Sequence, residues 1–148
     1  MFKQVRTPCV GVCSTGIGDQ VCRGCKRFAH EVVNWNGYSN DQRYLIAQRL
    51  EGFLAQVVSN KMLIIDEQRL LAAIKHQQIS FKQEQNPYCW LFDLLKAGAS
   101  QITELSAYGV HRQAGWESQS LVEIKQAIDE DYFTLSCAHY DRYFAVTG

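Results

Sequence analysis

Four cysteines fall inside one stretch, TPCVGVCSTGIGDQVCRGCKR at residues 7–27, of a 148-residue chain that has only two more. Thiols crowded this closely serve as two disulfides, a redox couple or the ligands of one metal. Three residues separate Cys9 from Cys13, two separate Cys22 from Cys25, and the eight-residue gap between the pairs holds Gly16 and Gly18, which let the chain fold back. Two such hooks facing each other form a tetrahedral sulfur site. That site suits Zn²⁺, bound by four ligands with sulfur about 2.3 Å away, and equally suits iron held by four thiolates. The spacing therefore points to one metal centre on Cys9, Cys13, Cys22 and Cys25, with zinc and an iron–sulfur cluster both open.

The expected compartment supports the metal over disulfides. The N-terminus has no apolar run of signal-peptide length, and no stretch of about 18 apolar residues occurs in the chain, so neither secretion nor membrane insertion is expected. In a reducing cytoplasm, dense cysteine patterns are metal-binding or catalytic more often than they are disulfide frameworks. A thiol–disulfide couple at Cys22 and Cys25 lacks the βαβ context that a redox C-x-x-C has.

Charge follows the cysteines. The first thirty residues carry Lys3, Arg6, Arg23, Lys26 and Arg27 against Asp19 alone, a net +4 that leaves −4 on the remainder of a formally neutral chain. A basic patch of this kind can meet phosphate or an acidic partner, and nucleic acid would be met through Arg6, Arg23, Lys26 and Arg27. The same cations can instead balance the negative charge of a thiolate cluster. Backbone N–H groups in a C-x₂-C hook can also point at the sulfurs, and a helix starting at Cys25 would add its positive end.

Beyond the cysteines the pattern is mainly helical. KRFAHEVVNW carries Phe28, Val32 and Trp35 at helical spacing until Asn36-Gly37 interrupts it. Ser39 and Gln42 form a capping-box start for a helix with Leu45, Ile46, Leu50, Phe53, Leu54, Val57 and Val58. Met62 to Ile65 reads as a short strand or a helix lead-in, and Asp66 caps a helix carrying Leu70, Leu71 and Ile74. Asn86-Pro87 opens YCWLFDLLKA, which Gly98 closes; Ser100 starts a further short helix ending near Gly109; residues 109–120 are loop-like. Ser120 with Glu123 caps a last helical stretch, with a break expected near Asp129 to Asp131. MLII and QISF are the two strand candidates. The expected fold is mainly α, with a small N-terminal Cys₄ knot of zinc-knuckle type followed by a helical domain. The expected division is a metal-binding module with two helices at 1–60 and a helical domain at 61–148.

The quoted cysteine stretch, continued by FAHEVVNWNGYSNDQR, resembles the YdhL-like family of small bacterial proteins, the domain of unknown function 1289. The matching features are Pro8 before Cys9, the two hooks, Gly24 inside the second, the stretch from Glu31 to Trp35, and the Ser-initiated helix with Arg43, over roughly residues 7–55. The resemblance raises iron–sulfur without excluding zinc, implies Cys9, Cys13, Cys22 and Cys25 as ligands, and implies no catalytic residue and no established activity.

The remaining candidates have plainer readings. Cys89 in NPYCWLF and Cys137 in LSCAHY, with His139 nearby, could form a second site, but isolated cysteines in helical apolar surroundings behave as small buried hydrophobes. His30 is either a neighbour of the cysteine module or a surface residue. The C-terminal aromatics lie among Asp129, Glu130, Asp131 and Asp141, which favours core packing or a protein-facing groove over RNA stacking. Without a phosphate loop, a catalytic triad order or a dinucleotide fingerprint, an enzyme is the weaker expectation. The chain is expected to be a non-enzymatic metal-binding protein whose site is structural and which binds a protein or ribonucleoprotein partner. The alternatives are an iron–sulfur electron carrier or redox sensor, and a nucleic-acid-binding zinc module.

Overall fold

The computed structural model describes residues 5–9 and 14–144. Among the described residues, five α-helices and two short strands are joined by 3₁₀ turns, so the chain is mainly helical. In order these are α1 (Ala29–Asn34), α2 (Asn40–Ser59), β1 (Met62–Ile64), α3 (Glu67–His76), α4 (Pro87–Gly98), β2 (Val110–Arg112) and α5 (Leu121–Tyr143). Among the described residues no helix is long and apolar enough to cross a membrane.

Local chemistry sets most of the helix starts. Ser39 and Gln42 cap α2 reciprocally, at 2.8 Å from the Ser39 N–H to Gln42 Oε1 and 3.2 Å from the Gln42 N–H to Ser39 Oγ. Ser120 and Glu123 repeat that box ahead of α5, at 3.2 and 3.1 Å. The Asp66 carboxylate accepts from the Arg69 N–H at 3.1 Å, and Asn86 Oδ1 accepts from the Tyr88 N–H at 2.9 Å with Pro87 at the first helical position.

Three expectations are corrected. QISF forms no strand: Gln78 adopts φ 58°, and the N–H groups of Ile79 and Gln78 bond the carbonyls of Ile74 and Lys75 at 3.2 and 3.1 Å. That pair of bonds around a left-handed residue terminates α3, so these residues complete a helix stop. Nor does α5 break at Asp129 to Asp131. Its 23 residues contain no Pro or Gly, and the three acids are exposed, so the helical ladder runs through. The short helix expected after Ser100 is replaced by 3₁₀ turns at Ala99–Gln101 and Leu105–Tyr108.

The chain divides into two compact units. One comprises the described residues through Phe53 together with those from Asp131 onward, and the other is Leu54–Glu130. In the second unit β1 and β2 pair antiparallel with Met62 opposite Arg112 and Ile64 opposite Val110. Met62, Leu70, Ile74, Leu91, Val110 and Ile124 are all fully buried, each contributing about 1.5–3 kcal/mol relative to an exposed position. Gly109 closes this unit with φ 72°, and its carbonyl accepts from Ile65 and Asp66 at 2.7 and 3.0 Å. A Cβ at this glycine would stand 2.5 Å from the Asp66 carbonyl oxygen. Gly109→Ala is expected to destabilise the protein by about 3 kcal/mol, combining a left-handed backbone penalty with overpacking. Urea unfolding should show this, and a loss below about 1 kcal/mol would contradict it.

Candidate metal centre

The second cysteine hook is a small hairpin. An isolated antiparallel bridge joins Val21 to Phe28, the Cys22 N–H donates to the Arg27 carbonyl at 2.8 Å, and the Lys26 N–H donates back to the Cys22 carbonyl at 2.9 Å. Lys26 takes φ 68°, a left-handed conformation that tightens the return immediately after Cys25. The reversal brings the Cys22 and Cys25 sulfurs into hydrogen-bond contact, with both residues buried. Burial pushes the Cys22 thiol up, but donors from the Cys25, Ser14 and Gly24 backbones and from the Cys25 side chain outweigh it. The thiol falls from 9.0 to about 7. Cys25 goes the other way: burial pushes it up, against the opposing pull of Arg27, whose Nε donates to Cys25 Sγ at 3.2 Å.

Two of the cations around the hook, Lys26 and Arg27, are buried. Lys26 is 1% exposed, and its ammonium donates to the carbonyls of Arg23 and Gly24, the two residues between the cysteines. Arg27 is 3% exposed, with its guanidinium 4.9 Å from the Trp35 ring centroid. Arg43 lies 5.6 Å from the same ring and donates to the Trp35 carbonyl at 2.9 Å, which ties α1 to α2. Of the four residues expected to reach nucleic acid, Lys26 and Arg27 are therefore inside the module, while Arg6 is exposed and Arg23 is largely exposed.

Of the four expected ligands, the structure brings Cys22 and Cys25 together. Cys9 is exposed, with its N–H donating to Thr7 Oγ1 at 3.3 Å, and Cys13 lies outside the described residues. Among the described residues no group of three or more His, Cys, Asp or Glu converges. The donor set of the second hook fits one half of a thiolate metal site: two adjacent sulfurs, backbone N–H groups aimed at one, and a guanidinium on the other. Cys89 is 2% exposed on α4, and Cys137 is half-buried on α5.

Below the hook, Glu31 forms a bidentate pair with Arg49 at 2.6 and 2.7 Å and also accepts the Phe28 N–H at 2.9 Å. Phe28 is wholly buried under Arg49, 4.1 Å from guanidinium carbon to ring centroid, and its ring contacts those of His30, His139, Tyr140 and Phe144. Burial and the Arg49 charge lower the His139 pKa from 6.5, with Glu31 opposing. Unfolded His139 thus protonates at a higher pH than folded His139. Stability from this residue is complete above about pH 6.5 and falls as the pH drops through the lower folded value. Unfolding midpoints measured from pH 8 to pH 5 should decline across that window, and His139→Gln should flatten the decline.

A mainly helical protein whose N-terminal module presents a buried two-cysteine hook is the class that this fold and site define. Residues 7–53, a stretch that includes the hook, α1 and most of α2, match the family described as "Protein of unknown function (DUF1289)". Searches of curated proteins and of solved structures returned no match.

Sequence reasoning found the hook but missed its supports. Lys26 gave no sign of burial, because a lysine in a basic run ordinarily faces water. The Glu31–Arg49 pair spans 18 positions and carries no spacing signal.

Proposed function

We propose that the protein binds one metal ion through Cys9, Cys13, Cys22 and Cys25, and that the metal braces α1 and α2 without taking part in a reaction. The observation that carries this reading is the geometry of the second hook: two buried cysteines whose sulfurs a hairpin brings into contact, with backbone donors at Cys22 and the Arg27 guanidinium at Cys25 Sγ. Donors placed this way favour the thiolate form that a metal ligand needs. When bound, the metal would supply the cross-link that ties the first hook to the second.

The inward Lys26 and Arg27 support the charge-balancing role for the basic segment, since two buried cations beside the cysteines offset the charge of bound thiolates. They correspondingly weigh against a phosphate-binding surface.

The test is metal content with a visible spectrum, on protein purified without oxygen. One zinc per chain and no colour is the expected result. Iron with sulfide and a brown colour would replace the structural role with electron transfer or redox sensing, because four thiolates hold such clusters equally well. Protein with neither metal would overturn the reading.

A further inference from the structure

The family match and the first stretch of the N-terminal unit both end at Phe53, yet that unit also contains the residues from Asp131 onward. The last turns of α5 therefore belong to the packing of the cysteine module. Tyr132 is 8% exposed; the Lys26 ammonium lies 5.3 Å from its ring centroid, and its hydroxyl donates to the Leu50 carbonyl at 3.1 Å. Phe133, the next residue, carries the Arg23 guanidinium at 4.6 Å. Tyr140 donates to the Gln20 side chain at 3.0 Å and meets the Phe28 ring edge-on, 5.3 Å between centroids. Tyr132, Ser136 and Tyr140 recur every four residues and so form one stripe of the helix. Ser136 on that stripe is 1% exposed.

These contacts fall on the non-ligand residues that shape the hook. Arg23 lies between the two cysteines, Lys26 makes the turn after them, and Gln20 and Phe28 flank the hairpin. Lys26 is the pivotal one. An L side chain in the left-handed region is disfavoured by about 1–2 kcal/mol, and its ammonium is folded back on the carbonyls between the cysteines, with the Tyr132 ring against it. Sulfur positions follow the hook backbone, so groups that hold this backbone tune metal affinity, by roughly 10–100-fold when an outer partner is lost.

We propose that residues 131–143 of α5 clasp the metal hook, with Tyr132 and Phe133 as positioning residues, so that metal binding and docking of this helix end favour each other. The inference rests on the metal reading above. Because the linkage is reciprocal, whatever factor the docked helix adds to metal affinity, bound metal adds to docking.

The experiment uses the full chain with Zn²⁺ as the probe, in competition with a chromophoric chelator. Tyr132→Leu and Phe133→Ala are expected to weaken zinc binding by roughly tenfold, while Tyr132→Phe, which keeps the ring beside Lys26, retains most of the affinity. In the wild-type protein, stripping the zinc is expected to speed amide exchange at 131–143 and leave α4 unchanged, which general destabilisation would not do. Should both variants bind zinc like the wild type, or should exchange at 131–143 ignore the metal, the clasp is overturned and the metal reading stands. If the wild-type chain takes up no zinc, the metal reading fails and the clasp with it. A variant that does not fold leaves the wild-type exchange measurement to decide.

Discussion

Arg49→Met is expected to destabilise the N-terminal unit by about 3 kcal/mol or more, a large share of the roughly 5–15 kcal/mol that holds an ordinary domain together. The substitution keeps the aliphatic stem and removes the charge. The Glu31 side chain, 6% exposed, would then keep its carboxylate on the Phe28 N–H without the guanidinium that balances its charge. An uncompensated buried charge is the costly product, more than the lost pair itself. The Arg49 Nε–H is already buried without a partner, so its removal offsets a little of the loss. Pairing the change with Glu31→Gln should recover part of the stability, because both charges are then absent. Urea unfolding of the two single variants and the double variant gives the coupling directly. A single variant within about 1 kcal/mol of wild type would show that solvent reaches this pair and screens it.

Cys22→Ser is expected to abolish metal retention and lower the unfolding midpoint of the N-terminal unit. Serine has nearly the size of cysteine and can keep the backbone hydrogen bonds, but its hydroxyl stays protonated at neutral pH and is no substitute for a thiolate ligand. The backbone donors from Cys25, Ser14 and Gly24 that lower the Cys22 thiol would then have no anion to stabilise. Cys89→Ser, on a buried cysteine of the other unit, is the matched control and should leave metal content unchanged. Metal analysis after gel filtration decides the matter. A folded, metal-loaded Cys22→Ser protein would remove that residue from the ligand set and the proposed knot with it.

What the sequence showed clearly was whatever is decided within one helical turn. The boxes at Ser39 and Ser120, the Asp66 cap and the Asn86-Pro87 start are short-range hydrogen-bonding patterns, and all are present. Where structure depends on distant partners, the pattern was silent. β2 lies within a stretch expected to be loop because three residues carry no readable alternation; they are a strand through pairing with β1, 46 positions earlier at the nearest register pair, Ile64 and Val110. QISF failed as a strand because its apolar Ile79 serves the end of α3. At the candidate site, the pairing of Cys22 with Cys25 was legible from spacing alone. Lys26 lying against Tyr132 was not, since no local rule connects positions so far apart.

The return of α5 to Phe28 also sets an order of events during synthesis. Leu54–Glu130 is one continuous stretch and can fold as it emerges, whereas the N-terminal unit lacks Tyr132, Phe133 and Tyr140 until all of that stretch has been made. At about 5–20 residues per second, the hook waits on the order of 5–20 s for its closing helix. During that interval the hook lacks the contacts that Tyr132, Phe133 and Tyr140 make with Lys26, Arg23 and Phe28 in the finished protein, which makes the nascent chain the form in which its cysteines are least firmly held and most open to oxidation or to capture of the wrong metal.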